Sequence, residues 1–173
     1  AITNRGTLSV TNCGDAQAPS ITQQPTNLTV IQGDTAMFSV TVGGTSPLSY
    51  QWRFNSNNIP GATSTNLTLV NVQTTNAGSY DVIVTNNVGA ITSDVVVLSV
   101  LVPPSIVEPP ASQTVTQGAT VLFSAAANGS PPLGYQWRFN SNNILGATGT
   151  NLTLTDVQTT NAGSYQVVAT NAA

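Results

Sequence analysis

At an offset of 85 residues the chain repeats itself. The run Gln51-Trp52-Arg53-Phe54-Asn55-Ser56-Asn57-Asn58-Ile59 returns unchanged as Gln136 to Ile144. Gln73-Thr74-Thr75-Asn76-Ala77-Gly78-Ser79-Tyr80 returns as Gln158 to Tyr165. Aligning 51–88 with 136–173 gives 29 identities in 38 positions. Upstream the match is looser but in register, with Pro19-Ser20-Ile21 against Pro104-Ser105-Ile106 and Gln32-Gly33 against Gln117-Gly118. A chain of 173 residues suits one large domain or two small ones. The repeat decides for two.

Within each repeat the apolar positions alternate with a period of two. Ala36, Phe38, Val40 and Val42 form one such run, and Tyr50, Trp52 and Phe54 another. Leu67 and Leu69, then Tyr80, Val82 and Val84, continue the pattern. Short alternating runs separated by Gly, Asn, Pro and Ser predict antiparallel strands packed face to face. No segment has the period of an amphipathic helix. The predicted boundaries are an orphan strand at 1–10, a linker at 11–18, a first module at 19–102 and a second at 103–173. The break at Val102-Pro103-Pro104 is where proline ends strands and stiffens a linker.

Composition narrows the chemistry. Charged residues make up 5% of the chain, with three Arg, no Lys and no His, for a net charge of −3. Three cations cannot neutralise a row of phosphates, which argues against nucleic acid. No apolar run reaches the 18 residues of a membrane span, so membrane insertion is not expected. Without His or Lys, no side chain offers the usual general base for a Ser or Thr nucleophile. The six acidic residues form no pair close in sequence, so no carboxylate dyad is encoded locally. Neither an enzyme nor a cofactor or metal site is expected.

Three landmarks in each repeat carry a resemblance. A tryptophan sits on the third strand (Trp52, Trp137). An Asn-Ala-Gly-Ser-Tyr run (76–80, 161–165) is similar to the tyrosine corner that opens strand F, and a Gly-led apolar alternation (33–40, 118–125) looks like strand B. Together they resemble the immunoglobulin-like repeats of large secreted bacterial proteins. The resemblance implies an all-β chain of two tandem immunoglobulin-like antiparallel β-sandwiches in an extracellular or cell-surface setting. It places the core landmarks at Val40, Trp52, Tyr80 and Val82, and at Ala125, Trp137, Tyr165 and Val167. The family's B–F disulfide has no counterpart, because the two cysteine positions are Val40 and Val82 in one module and Ala125 and Val167 in the other. The single cysteine, Cys13, falls in a turn-like linker, where it is an unpaired thiol or a cross-link between copies. Sequons at Asn27, Asn66, Asn128 and Asn151 are possible glycosylation sites.

The second module reaches Thr170-Asn171-Ala172-Ala173 with no seventh strand, whereas the first continues from Ala90 to Val100. Conversely, Ala1-Ile2-Thr3 and Leu8-Ser9-Val10 echo Ala90-Ile91-Thr92 and Leu98-Ser99-Val100, one residue slipped. The linker 11–18 spans at most ~28 Å at ~3.5 Å per residue. A sandwich built of ten-residue strands is ~34 Å long. Self-closure is therefore disfavoured. The expectation is a strand built on Ile2, Leu8 and Val10 that completes module two of another copy, giving a structural subunit of a head-to-tail extracellular filament or surface stalk. The rival expectation is an adhesive or carbohydrate-binding module within a long tandem-repeat secreted protein. Partners are then other copies, or glycans and a host or cell surface.

Overall fold

A computed structural model describes residues 15–173. The expected donor strand with Ile2, Leu8 and Val10, and Cys13 in the linker, lie outside the described residues.

Module one contributes ten strands: β1 Ser20–Gln23, β2 Leu28–Ile31, β3 Ala36–Ser39, β4 Thr41–Gly43, β5 Ser49–Phe54, β6 Asn57–Asn58, β7 Asn66–Leu69, β8 Gly78–Thr85, β9 Ala90–Thr92 and β10 Val96–Leu101. One sheet runs β2-β10-β8-β5-β6, with β9 also on β8. The opposing layer consists of β3 with β7, and of β1 with β4. Alternation along the strands builds the space between. Ala36, Phe38, Trp52, Leu67, Tyr80, Val82, Val84, Val96 and Leu98 are all buried. On β5 and β8, Trp52 lies opposite Val82 and Phe54 opposite Tyr80.

The apolar run 36–42 is not one continuous strand. It breaks at Val40, whose N–H donates to the Thr65 carbonyl at 3.0 Å, and β4 then pairs with β1. The run 90–100 is likewise split. Ser93 turns inward between β9 and β10, and its Oγ accepts a bond from the Val82 N–H at 3.0 Å. A break of this kind bends a strand while keeping its buried amides satisfied.

Module two contributes β11 Ser105–Glu108, β12 Val121–Ser124, β13 Ala126–Asn128, β14 Gly134–Phe139, β15 Asn142–Asn143, β16 Asn151–Leu154 and β17 Tyr165–Thr170. Its sheets are β15-β14-β17, β12-β16 and β11-β13. Trp137 lies opposite Val167, repeating the register of module one. Ala125, Trp137 and Leu152 form its buried cluster, with Phe123, Leu154, Tyr165 and Val167 packed against it.

The identity of the repeats reflects local demands. Asn55-Ser56 and Asn140-Ser141 turn the hairpins after β5 and β14 with φ of 47° and 67°, and 47° and 68°. Positive φ at both centres is the two-residue hairpin geometry, which asparagine tolerates. Asn55 Oδ1 also accepts from the Ser79 N–H at 3.0 Å, and Asn140 from Ser164 at 3.0 Å. The glycine two residues before each tyrosine is required by packing. A Cβ at Gly78 would stand 2.6 Å from the Phe54 ring, and one at Gly163 2.5 Å from Phe139.

Candidate functional site

The modules differ where β8 and β17 face outward. In module one, β8 has β5 on one side and β9 and β10 on the other. Val96 and Leu98 of β10 are buried, and β10 also pairs in parallel with β2, Leu98 opposite Leu28 and Val100 opposite Val30. In module two, β17 pairs with β14, and among the described residues no strand lies along its other edge.

The consequences are local and consistent. Phe38 and Tyr80 are 1% and 2% exposed, whereas the same residue types at the equivalent positions, Phe123 and Tyr165, are half-buried. Val82 is fully buried and Val167 half-buried. Residues 113–116, equivalent to β2, form no strand and are exposed, Val115 at 46%. A cleft of about 700 Å³ opens between the segment 110–117 and the side chains of Val121, Phe123, Leu154 and Tyr165. Its floor is aromatic and aliphatic; its rim offers Gln, Ser and Thr. An unpaired ladder edge beside an apolar cleft is a template for one more strand.

The aromatic rings are committed to the cores. Phe38 stacks on Tyr80 with centroids 4.9 Å apart, and Tyr80 meets Phe54 at 5.0 Å. Phe123, Tyr165 and Phe139 repeat this at 4.9 and 4.8 Å. Trp52 Nε1 donates to the Ser64 carbonyl and Trp137 Nε1 to Gly149, each at 2.9 Å. Burial pushes the phenols of Tyr80 and Tyr165 above the ordinary tyrosine range. The Tyr165 hydroxyl donates to the Asn161 carbonyl at 2.9 Å, the corner that the motif implied. Tyr50 and its counterpart Tyr135, which alternate with Trp52 and Trp137, are half-buried.

Arg53 and Arg138, each next to a core tryptophan, behave differently from one another. Arg53 is held by Asp81 through Nε–Oδ1 and Nη2–Oδ2 bonds of 2.7 Å. Arg138 donates from Nε to Asn143 Oδ1 at 2.9 Å, because Gln166 stands at the position of Asp81. The sequons at Asn66, Asn128 and Asn151 are exposed. Asn27 is exposed too, but its Oδ1 accepts from the Val97 N–H at 2.8 Å. No group of three His, Cys, Asp or Glu among the described residues is placed to hold a metal ion.

Alternation alone missed one further device. Asn86 Nδ2 donates to the carbonyls of Gln17 and Thr45, at 2.7 and 2.9 Å. Asn171 does the same to Val102 and Ser130, at 2.7 and 3.0 Å. In each module this asparagine pins the entering segment to the loop after the F-position strand. The recurring Thr-Asn after β8 and β17 was its signal.

Two facing sheets, a core tryptophan opposite an F-strand valine and a tyrosine corner define an immunoglobulin-type sandwich, twice over. The family profile described as "Immunoglobulin domain" matches residues 18–86 and 103–171, and the chain belongs to that family. It is 30% identical over 165 residues to endoglucanase C of Cellulomonas fimi, covering 90% of this chain and 15% of that protein. It is 28% identical over 167 residues to the netrin receptor DCC of Rattus norvegicus, covering 87% and 11%. Among solved structures, the I-band fragment I67–I69 from titin superimposes with a TM-score of 0.75 at 22% identity, covering 90% of this chain and 62% of that one. The chain thus spans about a tenth to a seventh of the length of these curated relatives.

Proposed function

We propose that this tandem is an adhesive and spacer segment of a long extracellular or surface protein, not a catalytic unit. The observation that carries the reading is the allocation of aromatic side chains. None of the ten is fully exposed; eight are engaged in the two ring clusters, and the two that line the cleft, Phe123 and Tyr165, are half-buried and stacked on one another. A carbohydrate site needs exposed rings as platforms, whereas the surface here offers amides, hydroxyls and exposed aliphatic side chains such as Val70, Val95 and Leu145. Such a surface suits contacts with other proteins through sheet faces and loops. A receptor and an endoglucanase both carry similar stretches as a small part of their length, which fits a module reused for reach and contact. The test is bead aggregation with the immobilised chain, beside a glycan array. Protein-dependent bead clustering with no glycan signal supports the proposal; saturable binding to a sugar, or hydrolysis of one, overturns it.

A second reading is favoured by the open edge of β17: copies joined head to tail by strand exchange into a filament or stalk. Residues 1–10 would then serve as a strand for a neighbour.

A further inference from the structure

We propose that Asn128 is a site of spontaneous covalent modification, which ages module two and spares module one. Asparagine followed by glycine occurs once in the chain, at Asn128-Gly129, among eighteen asparagines. The chemistry needs a free side-chain amide and a main-chain nitrogen that can reach it. Gly129 N attacks Asn128 Cγ, the Cγ–Nδ2 bond breaks, ammonia leaves and a succinimide ring closes. Water then opens the ring at either carbonyl, giving aspartate or, with the main chain running through the side chain, isoaspartate. Glycine favours the attack because no Cβ shields its nitrogen. The structure singles out this asparagine. Asn27, Asn55, Asn86 and Asn171, among others, have their side-chain amides engaged. Among the described residues, Asn58, Asn66, Asn87, Asn128 and Asn151 make no side-chain hydrogen bond. Four of these precede Ile, Leu or Val. The nitrogens of Ile59 and Val88 are also committed, to the Trp52 carbonyl and to Asn86 Oδ1, each at 2.9 Å. Asn128 is exposed at the end of β13, and the Gly129 N–H has no acceptor among the described residues. Module one has Gly43-Gly44 at this place and so lacks the reactive side chain.

The site adjoins the contacts that hold the entry of module two. Gly129, at φ 148°, lies so close to the entering chain that a Cβ would stand 3.1 Å from Pro104 Cα. The Ser130 N–H donates to the Val102 carbonyl at 2.9 Å, and Ser130 Oγ accepts from the Val102 N–H at 2.8 Å. Asn171 Nδ2 donates to the carbonyls of both residues. Isoaspartate adds one carbon to the main chain between Asn128 and Gly129. Asn128 lies opposite Ser105 of β11, so the added length displaces Gly129 and Ser130 from the partners that this register gives them. Buried main-chain groups that lose their partners destabilise the fold around them. Either product also gains one acid, taking the formal net charge from −3 to −4.

The experiment ages the 173-residue chain, made in a host that adds no N-linked sugar, in mildly alkaline buffer beside its Asn128→Gln variant. Glutamine keeps the amide but closes the larger ring far more slowly. A free peptide spanning 124–132 gives the rate without the fold. Peptic digestion in acid and mass spectrometry locate each lost amide, and an isoaspartyl methyltransferase reports isoaspartate. Amide hydrogen exchange read separately over β5 and β14 reports the stability of each module. The expected results are amide loss at Asn128 at least tenfold faster than at Asn66 or Asn151, and isoaspartate in the parent but not in the variant. Exchange over β14 should quicken in the aged parent alone, with β5 unchanged. Loss at Asn128 no faster than at Asn66 or Asn151 overturns the proposal. So does an Asn128 that stays intact while the free peptide converts. Complete conversion with unchanged exchange over β14 overturns the ageing of module two.

Discussion

Arg53 grips Asp81 with two parallel hydrogen bonds across β5 and β8, while its counterpart Arg138 faces Gln166 and bonds instead to Asn143. The two modules thus contain a natural comparison of an ion pair with its neutral replacement. Gln166→Asp should give Arg138 the bidentate partner that Arg53 has. Exposed pairs contribute about 0.2–1 kcal/mol, and the bidentate geometry places this one toward the upper end. Denaturant unfolding should show module two stabilised by that amount, since Gln166 is exposed, and Asp81→Asn should weaken module one by more, because Asp81 is buried. The Asp81 hydrogen bonds hold the Arg53 guanidinium above its usual range. A raised arginine keeps its contribution below its unfolded pKa and loses it only as pH rises through the folded one. Both lie far above neutrality, so the Arg53 side of this pair adds no slope between pH 7 and 10.

Trp52→Ala should destabilise module one by about 3–5 kcal/mol, and Trp137→Ala module two by a similar amount. Both side chains are fully buried, and each indole also satisfies a backbone carbonyl. Trp52→Phe retains most of the packing but leaves the Ser64 carbonyl without its donor, so an intermediate loss is expected. A midpoint shift worth less than about 1 kcal/mol for Trp52→Ala would place the core elsewhere.

Much of this was legible from residue pattern. The repeat, the tryptophans and the tyrosine corner sufficed for a tandem sandwich, because each is a strong local constraint that both copies obey. The Arg53–Asp81 pair was hidden because alternation tells only which face a side chain takes, not which neighbour waits across the sheet. The parallel pairing of β2 with β10 was hidden too, since it joins stretches 70 residues apart with only short apolar patterns. Tyr50 shares the face of Trp52, yet it is half-buried. Period two assigns a face but not a depth below the surface.

Val40→Cys with Val82→Cys, in a Cys13→Ser background, should form the bridge that this chain lacks. The pair occupies the family's cysteine positions, and both valines are buried in module one. Closing a loop of this size stabilises by roughly 2–4 kcal/mol. Mass spectrometry of the oxidised variant, with and without reductant, checks the bond, and unfolding midpoints check its effect. A variant that stays reduced under oxidising conditions would refute the pairing of strands B and F at these residues.

Alkaline pH should unfold both modules through their corner tyrosines. Burial raises the Tyr80 and Tyr165 phenols, so each folded module keeps a proton that the unfolded chain gives up. That stability is fully present below the ordinary tyrosine pKa of about 10 and falls as pH rises from there through the folded values. Phenolate absorbance should therefore lag behind that of a model tyrosine and appear together with loss of structure. Tyr165→Phe should remove the bond to Asn161 at a cost of about 1 kcal/mol.

Amide hydrogen exchange along β8 and β17, measured in one sample over a range of concentrations, tests the open edge most directly. At low concentration the amides of Val167 and Ala169, which point away from β14, should exchange fast, while those of β8 facing β9 and β10 are protected. As concentration rises, the β17 amides should slow toward the β8 rates. Amides of β17 that remain fast at every concentration, or that are already protected at the lowest, would contradict strand acceptance from a second copy.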